Sequence, residues 1–215
     1  MKSAKSAVRV IARDGEHEVE IRRSRFRCTV ARVGDAEAAA AVIARVRKAG
    51  PGANHHCTAL RTGDPETGEM TVRSNDDGEP AGTAGVPMLE VLARRNLTDV
   101  VAVVSRWFGG TKLGAGGLVR AYSGALAETL DAVGTLRRVR HRELLLAVPH
   151  DLAGRLEHDL RTSPYRLLGA DYGADVTLTV AVTEAGRDAF SAWLAERSGG
   201  AVEALDAGTR DLYLP

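Results

Sequence analysis

The stretch RWFGGTKLGAGGLVRAY, residues 106–122, is predicted to join a buried strand to a helix through a run of glycines. The β-branched run before it is typical of a central strand, and the apolar residues after it follow helical spacing. Five glycines stand among the nine positions 109–117. Because each glycine in a folded element costs about 0.5–1 kcal/mol relative to alanine, this run indicates positive φ angles or close backbone approach.

The spacing of this stretch excludes two phosphate-binding motifs. A Walker A loop requires Ser or Thr after its lysine, whereas Lys112 is followed by Leu113. The dinucleotide fingerprint, counted from Gly114, requires a third glycine where Val119 stands. Two interpretations of the glycines stay open. They form an anion-binding nest at the start of a helix, or they let the backbone pack tightly against a neighbouring element.

Basic residues near the glycines favour an anion-binding surface. Eleven positions without an acid contain five arginines, namely Arg22, Arg23, Arg25, Arg27 and Arg32. This segment alternates apolar and polar residues, which predicts a half-buried strand with either a phosphate-contacting or a merely solvated face. The residues predicted to bind an anion or nucleic acid are Arg106, Lys112, Gly114, Gly116, Gly117, Arg120, Arg22, Arg23, Arg25 and Arg27.

The composition limits the class of protein. A chain of 215 residues with 44% apolar and 27% charged residues is typical of a soluble globular protein. Its net charge of +1 is too small for the overall charge of the protein to predict nucleic-acid binding. No apolar run is long enough for a membrane span or a signal peptide, which predicts a cytoplasmic protein without a membrane partner. Cys28 and Cys57 stand singly in apolar stretches and are predicted to be buried and reduced.

Turn, cap and periodicity signals predict two domains, residues 1–135 and 136–215. The first domain is expected to open with a hairpin that turns at Asp14–Gly15, followed by a strand and by a helix capped at Asp35. The second domain shows the order βαββαβ, which is typical of a ferredoxin-like unit. The predicted fold class is therefore mixed α/β throughout.

The acidic segment DDGEPAGTAGVPML, residues 76–89, is rich in turn residues and predicts an ordered loop that leads into a helix near Pro87. Together with HHC at 55–57 it contains side chains that ligate metals. Alternation along a strand nevertheless sends His56 and Cys57 to opposite faces. We therefore predict no metal, no cofactor and no catalytic residue. The acids of a supporting loop are Asp76, Asp77 and Glu79.

Four segments together resemble the IMPACT family, namely SRF at 24–26, HHCTALR at 55–61, DDGEPAGTAGVPML at 76–89 and NLTDVVAVVSRWFGGTKLGAGGLVRAY at 96–122. The two-domain layout resembles the bacterial YigZ branch of the family. The resemblance implies a first domain with the α/β fold of the second domain of small-subunit ribosomal protein five. It also implies a second domain similar to the fifth domain of the ribosomal translocation factor.

The resemblance further implies a function. Eukaryotic relatives act in translational control through a protein partner, and bacterial relatives are expected to bind nucleic acid or the ribosome. The chain is therefore expected to be a translation-related regulatory protein, with no demonstrated catalysis, that binds RNA or the ribosome through its basic, Gly-rich face. A protein partner in translational control is a further expected partner. Two alternatives stay open. One is a phosphate- or nucleotide-binding enzyme on the fold of galactokinase and homoserine kinase, and the other is a protein-interaction module.

Overall fold

The computed structural model describes residues 8–65 and 67–215, which form two compact units. One unit comprises the described residues up to Arg138 together with Leu214–Pro215, and the other comprises Val139–Tyr213. Each unit combines helices and strands around its own hydrophobic core. The prediction of a mixed α/β fold is therefore confirmed.

The first unit is built on one sheet in the order β2-β3-β6-β4-β5, with antiparallel pairing throughout. Its elements are β1 (Arg9–Ile11), β2 (Gly15–Ile21), β3 (Ser24–Arg32), α1 (Ala36–Ala49), β4 (His55–Asp64), β5 (Glu69–Asn75), α2 (Gly85–Arg94), β6 (Val100–Trp107) and α3 (Ala115–Val133). Asp35 caps α1 as predicted, because its Oδ1 accepts the Ala38 N–H at 2.8 Å. Strand β6 occupies the centre, as its β-branched sequence predicts.

Strand β6 is covered on both sides. Val100, Ala102 and Val104 belong to the core that includes α2 and α3, whereas Val101 and Val103 belong to the core beneath α1. Successive side chains of a strand point to opposite faces. The last two residues of β6, Arg106 and Trp107, therefore end on opposite sides of the sheet, and this alternation determines the geometry of the site.

The second unit contains the predicted order βαββαβ. Its elements are the part of β7 (Thr135–Val148) that follows Arg138, α4 (His150–Thr162), β8 (Arg166–Tyr172), β9 (Val176–Val182), α5 (Arg187–Ser198) and β10 (Ala204–Leu214) up to Tyr213, with a short 3-10 turn at Glu184–Gly186. Strand β9 lies between β7 and β8, and β10 pairs with the other edge of β7. Helices α4 and α5 contribute Leu156 and Phe190 to the core of this unit. This element order is that of a ferredoxin-like domain.

The predicted opening hairpin is wrong. Strand β1 pairs with the first residues of β7, and β2 pairs instead with β3. Gly15 serves a close approach rather than a turn, since a Cβ on it would lie 2.6 Å from Cγ1 of Val133. The real hairpin turns at Arg22–Arg23, whose φ angles are 48° and 67°. Sequence propensity does not indicate two arginines in this left-handed region.

Candidate nucleic-acid interface

The Gly-rich stretch ends at an open helix N-terminus. Gly114 is the N-cap of α3, with φ of 71°, and it offers no side chain to cap the helix. The Leu118 N–H donates to the Gly114 carbonyl at 2.9 Å, so the amides of residues 115–117 precede the first helical hydrogen bond. Residues 114–116 are exposed. The amides and the positive end of the helix dipole therefore lie where an anion reaches them.

Two of the glycines serve packing. A Cβ on Gly109 would lie 1.9 Å from the Arg23 carbonyl oxygen, in the turn between β2 and β3. A Cβ on Gly117 would lie 3.0 Å from Cβ of Leu113. These positions agree with the interpretation that bare backbone allows close approach to a neighbouring element.

Gly116 is explained neither by packing nor by conformation. Its φ is not in the left-handed region, and the nearest atom to an added Cβ would be a terminal nitrogen of Arg120, at 3.7 Å. Gly110 and Gly114 differ from it, because both have positive φ angles. The glycines thus have several separate roles, and the bare surface at Gly116 is available to a ligand.

Arg106 lies in the interior. Its Nη1 donates to Oε1 of Glu79 at 2.6 Å, and the two side chains are 6% and 4% exposed. The Tyr122 hydroxyl donates to the same carboxylate oxygen at 2.7 Å. Burial, followed by the neighbouring Cys57, raises the pKa of Tyr122, which keeps its hydroxyl protonated as a donor. Arg106 is therefore a neutralised group behind the surface.

Tyr122 belongs to the apolar face of α3, and the helical spacing of that face gives no sign of its polar contact. The signal that points to the contact is chemical, because a buried tyrosine hydroxyl requires a partner. The ring packs edge-on against Phe26, with 5.3 Å between the centroids. Cys28 and Cys57 are buried as predicted, and burial raises the pKa of the Cys57 thiol to about 12.

Two hollows flank the start of α3. The larger, of about 370 Å³, is lined by Glu79, Pro80, Arg106, Phe108, Lys112, Leu113, Gly114, Ala115 and Leu118. The smaller, of about 250 Å³, is lined by Ile21, Arg22, Leu113, Gly117, Arg120 and Ala121. Leu113 borders both hollows. The turn between β2 and β3 and the first turns of α3 therefore share one surface.

We define the loop surface as the exposed side chains of Arg22, Arg23, Lys112 and Arg120 around this helix start. Among residues 8–65 and 67–215, none of these four forms an ion pair or a hydrogen bond through its side chain. The structure thus brings together four of the predicted basic residues and leaves their charges unneutralised. It also places them beside the exposed glycine backbone.

Arg25 and Arg27 lie elsewhere, on the α1 side of the sheet. Their guanidinium carbons lie 4.0 Å and 5.0 Å from the centroid of the Trp107 ring, and we call these three residues the tryptophan cluster. Arg25 also pairs with Glu18 at 3.7 Å, and Arg27 donates to the Ala49 carbonyl at 3.3 Å. The structure therefore does not bring Arg25 and Arg27 together with the loop surface.

Asp76 stabilises the start of α2. Its carboxylate accepts the N–H groups of Gly82, Ala84 and Gly85 at 2.8 Å, 3.1 Å and 2.8 Å. Burial acts to raise the pKa of Asp76, but these amide hydrogen bonds outweigh it and lower the pKa. The side chain is engaged with the backbone of its own loop.

Asp77 is also engaged. Its carboxylate pairs with Arg47 at 2.7 Å and accepts the His56 N–H at 2.7 Å. Burial is the main cause that lowers the pKa of His56, whose Nδ1 lies 2.8 Å from the Ser105 hydroxyl. With Glu79 held by Arg106, all three acids of the predicted supporting loop have protein partners. In the described part of the chain, no cluster of His, Cys, Asp and Glu has the arrangement of a metal site.

Comparison with known proteins identifies the family. The Impact N-terminal domain matches residues 22–130, and the domain of unknown function DUF1949 matches residues 146–201. The chain belongs to the IMPACT family. IMPACT family member YvyE of Bacillus subtilis is 41% identical over 186 residues, which cover 86% of this chain and 84% of that protein. The Arg106 strand end and the Gly-rich helix start both lie within the first matched domain.

Two further relatives extend this agreement. IMPACT family member YigZ of Escherichia coli is 40% identical over 187 residues, which cover 86% of this chain and 91% of that protein. A crystal structure described as that of a hypothetical protein is 36% identical, with a TM-score of 0.60, and covers 94% of this chain and 98% of that one. The resemblance to this family and to its YigZ branch is confirmed. Among the described residues of this IMPACT protein, no helix combines the length and apolar character that a membrane span requires.

Proposed function

We propose that this IMPACT family protein has a translation-related regulatory role and binds RNA, free or in the ribosome, through the loop surface. The observation that carries the proposal is the set of four exposed cations without protein partners around the open N-terminus of α3. Phosphate contacts supply most of the affinity of nucleic-acid binding that is independent of sequence. The translational role is what the family resemblance implies. The cytoplasmic location is an expectation from the sequence.

The backbone adds to the side chains at this surface. The amides of residues 115–117 point out of the helix start, where the helix dipole provides about half a positive charge. A phosphate at this position receives hydrogen bonds from the backbone and a charge contact from Lys112. The glycines keep this approach unobstructed, because Gly114 and Gly116 are exposed and carry no side chain.

The distribution of the cations favours an extended polyanion over a single small anion. Lys112 lines the larger hollow, whereas Arg22 and Arg120 line the smaller one. A nucleic-acid backbone carries regularly spaced phosphates, so successive phosphates can contact both groups. The exposed ring of Phe108 beside Lys112 adds a surface on which a base can stack.

The test is a titration of the whole protein against a fluorescein-labelled single-stranded RNA of mixed sequence, followed by fluorescence anisotropy at several salt concentrations. With four phosphate contacts, the logarithm of the association constant should fall with the logarithm of salt with a slope of about −3. Lys112→Ala should weaken binding for every sequence tested and reduce that slope by about 0.7. Affinity that does not depend on salt would contradict the proposal.

Lys48 provides a matched control, because it is an exposed lysine near the end of α1, away from the Gly-rich stretch. Lys48→Ala should leave the affinity and the salt slope unchanged. Equal losses in Lys48→Ala and Lys112→Ala would show that attraction is unspecific and does not involve the loop surface. Absence of RNA binding at low salt would favour the alternative of a protein-interaction module.

A further inference from the structure

The larger hollow beside α3 has a polar floor that is not fully satisfied. Arg106 and Glu79 both line it, and Arg106 uses its terminal nitrogens to bind Glu79 and Ser24. The Nε–H of Arg106 is buried and has no hydrogen-bond acceptor in the described part of the chain. A buried donor without an acceptor is costly and uncommon, so this floor has a hydrogen-bonding capacity that the described residues do not use.

One wall of the hollow is an aromatic ring held in place. The Phe108 side chain is 47% exposed, although phenylalanine is usually buried. Its backbone N–H donates to Oδ1 of Asn54 at 2.8 Å, which fixes the chain where the ring emerges. The Arg106 guanidinium carbon lies 5.5 Å from the ring centroid, within the range of a cation–π contact. The ring is therefore positioned, and a large part of its surface is left to a ligand.

The lining of the hollow also includes groups that are suited to an anion. Lys112 has no carboxylate partner within the described residues, and Gly114 and Ala115 form the uncapped start of α3. Pro80, Leu113 and Leu118 supply apolar lining to the same hollow. A volume of about 370 Å³ lies near the lower end of the range of pockets that hold small organic molecules. The hollow thus suits one flat, apolar-faced group joined to one anionic group.

We propose that this hollow binds a single unstacked nucleotide, with its base against Phe108 and its phosphate at the start of α3. The proposal rests on the proposed function and deepens it, because it assigns base contact to Phe108 and backbone contact to the loop surface. The polar edge of the base faces the floor formed by Arg106 and Glu79. The same chemistry is available in a nucleotide of a bound RNA and in a free nucleoside monophosphate.

The test uses Phe108→Leu and single-stranded RNA 10-mers that carry 2-aminopurine at the 5′ end, the middle or the 3′ end. Stacking of a base on an aromatic ring predicts about a tenfold loss of affinity in Phe108→Leu, with an unchanged salt slope. In the wild type the 2-aminopurine emission should change on binding in at least one 10-mer, and Phe108→Leu should abolish that change. Phe108→Tyr should retain both properties.

Tyr172→Leu is the control, because Tyr172 is an exposed aromatic residue in the second unit. It should bind each 10-mer like the wild type. Circular dichroism verifies that every variant is folded. If Phe108→Leu keeps the wild-type affinity and emission while binding still falls with salt, this inference is overturned and the proposed function stands.

A parallel titration with adenosine and guanosine monophosphate separates the two sources of the nucleotide. Saturable binding that Phe108→Leu weakens, without any RNA binding, supports the pocket with a free nucleotide as its ligand and contradicts the proposed function. Binding of RNA without measurable binding of the monophosphates, together with the Phe108→Leu loss, supports an RNA nucleotide as the ligand. Absence of binding to both probes overturns the inference and the proposed function together.

Discussion

The loop surface and the tryptophan cluster contain similar residues, but the structure uses them differently. In the loop surface, Arg22 and Lys112 extend into solvent without a partner among the described residues. In the tryptophan cluster, Arg25 and Arg27 lie over the ring of Trp107 and have further acceptors within the protein. Similar basic residues in a sequence therefore have different surroundings in the fold, and the proposed RNA-binding surface is the one whose charges have no partner among the described residues.

The largest expected effect is a loss of stability when the buried ion pair between Arg106 and Glu79 is broken. Arg106 belongs neither to the loop surface nor to the tryptophan cluster. Glu79→Ala leaves a buried guanidinium without its carboxylate and should lower the free energy of unfolding by about 3–5 kcal/mol, measured by urea denaturation. Glu90→Ala, which breaks an exposed pair with Arg94, should change the stability little. A small loss in Glu79→Ala would show that Arg106 is not held as a structural group and is available to a ligand.

The two classes of glycine in the Gly-rich stretch give the next largest effect. Gly109→Ala places a methyl group against the Arg23 carbonyl and should cost about 3 kcal/mol, since the backbone must shift. Gly116→Ala meets no close atom and should be neutral or stabilise the helix by up to about 1 kcal/mol. Thermal unfolding of both variants provides the measurement. Equal losses of stability in the two variants would contradict the assignment of Gly109 to backbone packing and of Gly116 to an exposed surface without close contacts.

A matched pair of arginines tests the comparison directly. Arg22→Ala should reduce the salt slope of RNA binding by about 0.7, because it removes one phosphate contact from the loop surface. Arg25→Ala should leave the slope unchanged, since its guanidinium is engaged with Trp107 and Glu18. Anisotropy titrations of both variants at three salt concentrations measure these slopes. The reverse result would move the RNA contact to the tryptophan cluster.

The smallest expected effect is a pH dependence near the tryptophan cluster. Burial lowers the pKa of His56, and the charges of Arg47 and Arg27 lower it further against the opposing effect of Asp77. At acidic pH the unfolded chain therefore binds a proton that the folded chain does not, so His56 makes stability rise with pH up to about 6.5. His56→Gln should show a smaller rise between about pH 5 and pH 7.5 in urea unfolding. If the stability of His56→Gln rises with pH as much as that of the wild type, titratable groups other than His56 cause the pH dependence.

The sequence by itself determined the elements that local rules specify. The β-branched run at 100–104 predicts a strand buried on both sides, Asp35 predicts the start of α1, and the second half predicts βαββαβ. These features depend on periodicity, caps and turn residues within a few positions. The motifs around RWFGG also sufficed for the family, which the comparisons confirm.

The tertiary structure alone decided which predicted residues lie together. Arg106 meets Glu79 across 27 positions, and Arg23 lies against Gly109 although the two are far apart in the chain. Arg22 and Arg23 lie in the turn before β3, whereas Arg25 and Arg27 share the face of β3 that carries Trp107 of β6, and only strand pairing reveals what lies on that face. Burial and charge pairing depend on these distant partners, so no local pattern predicts which arginine remains available to a phosphate.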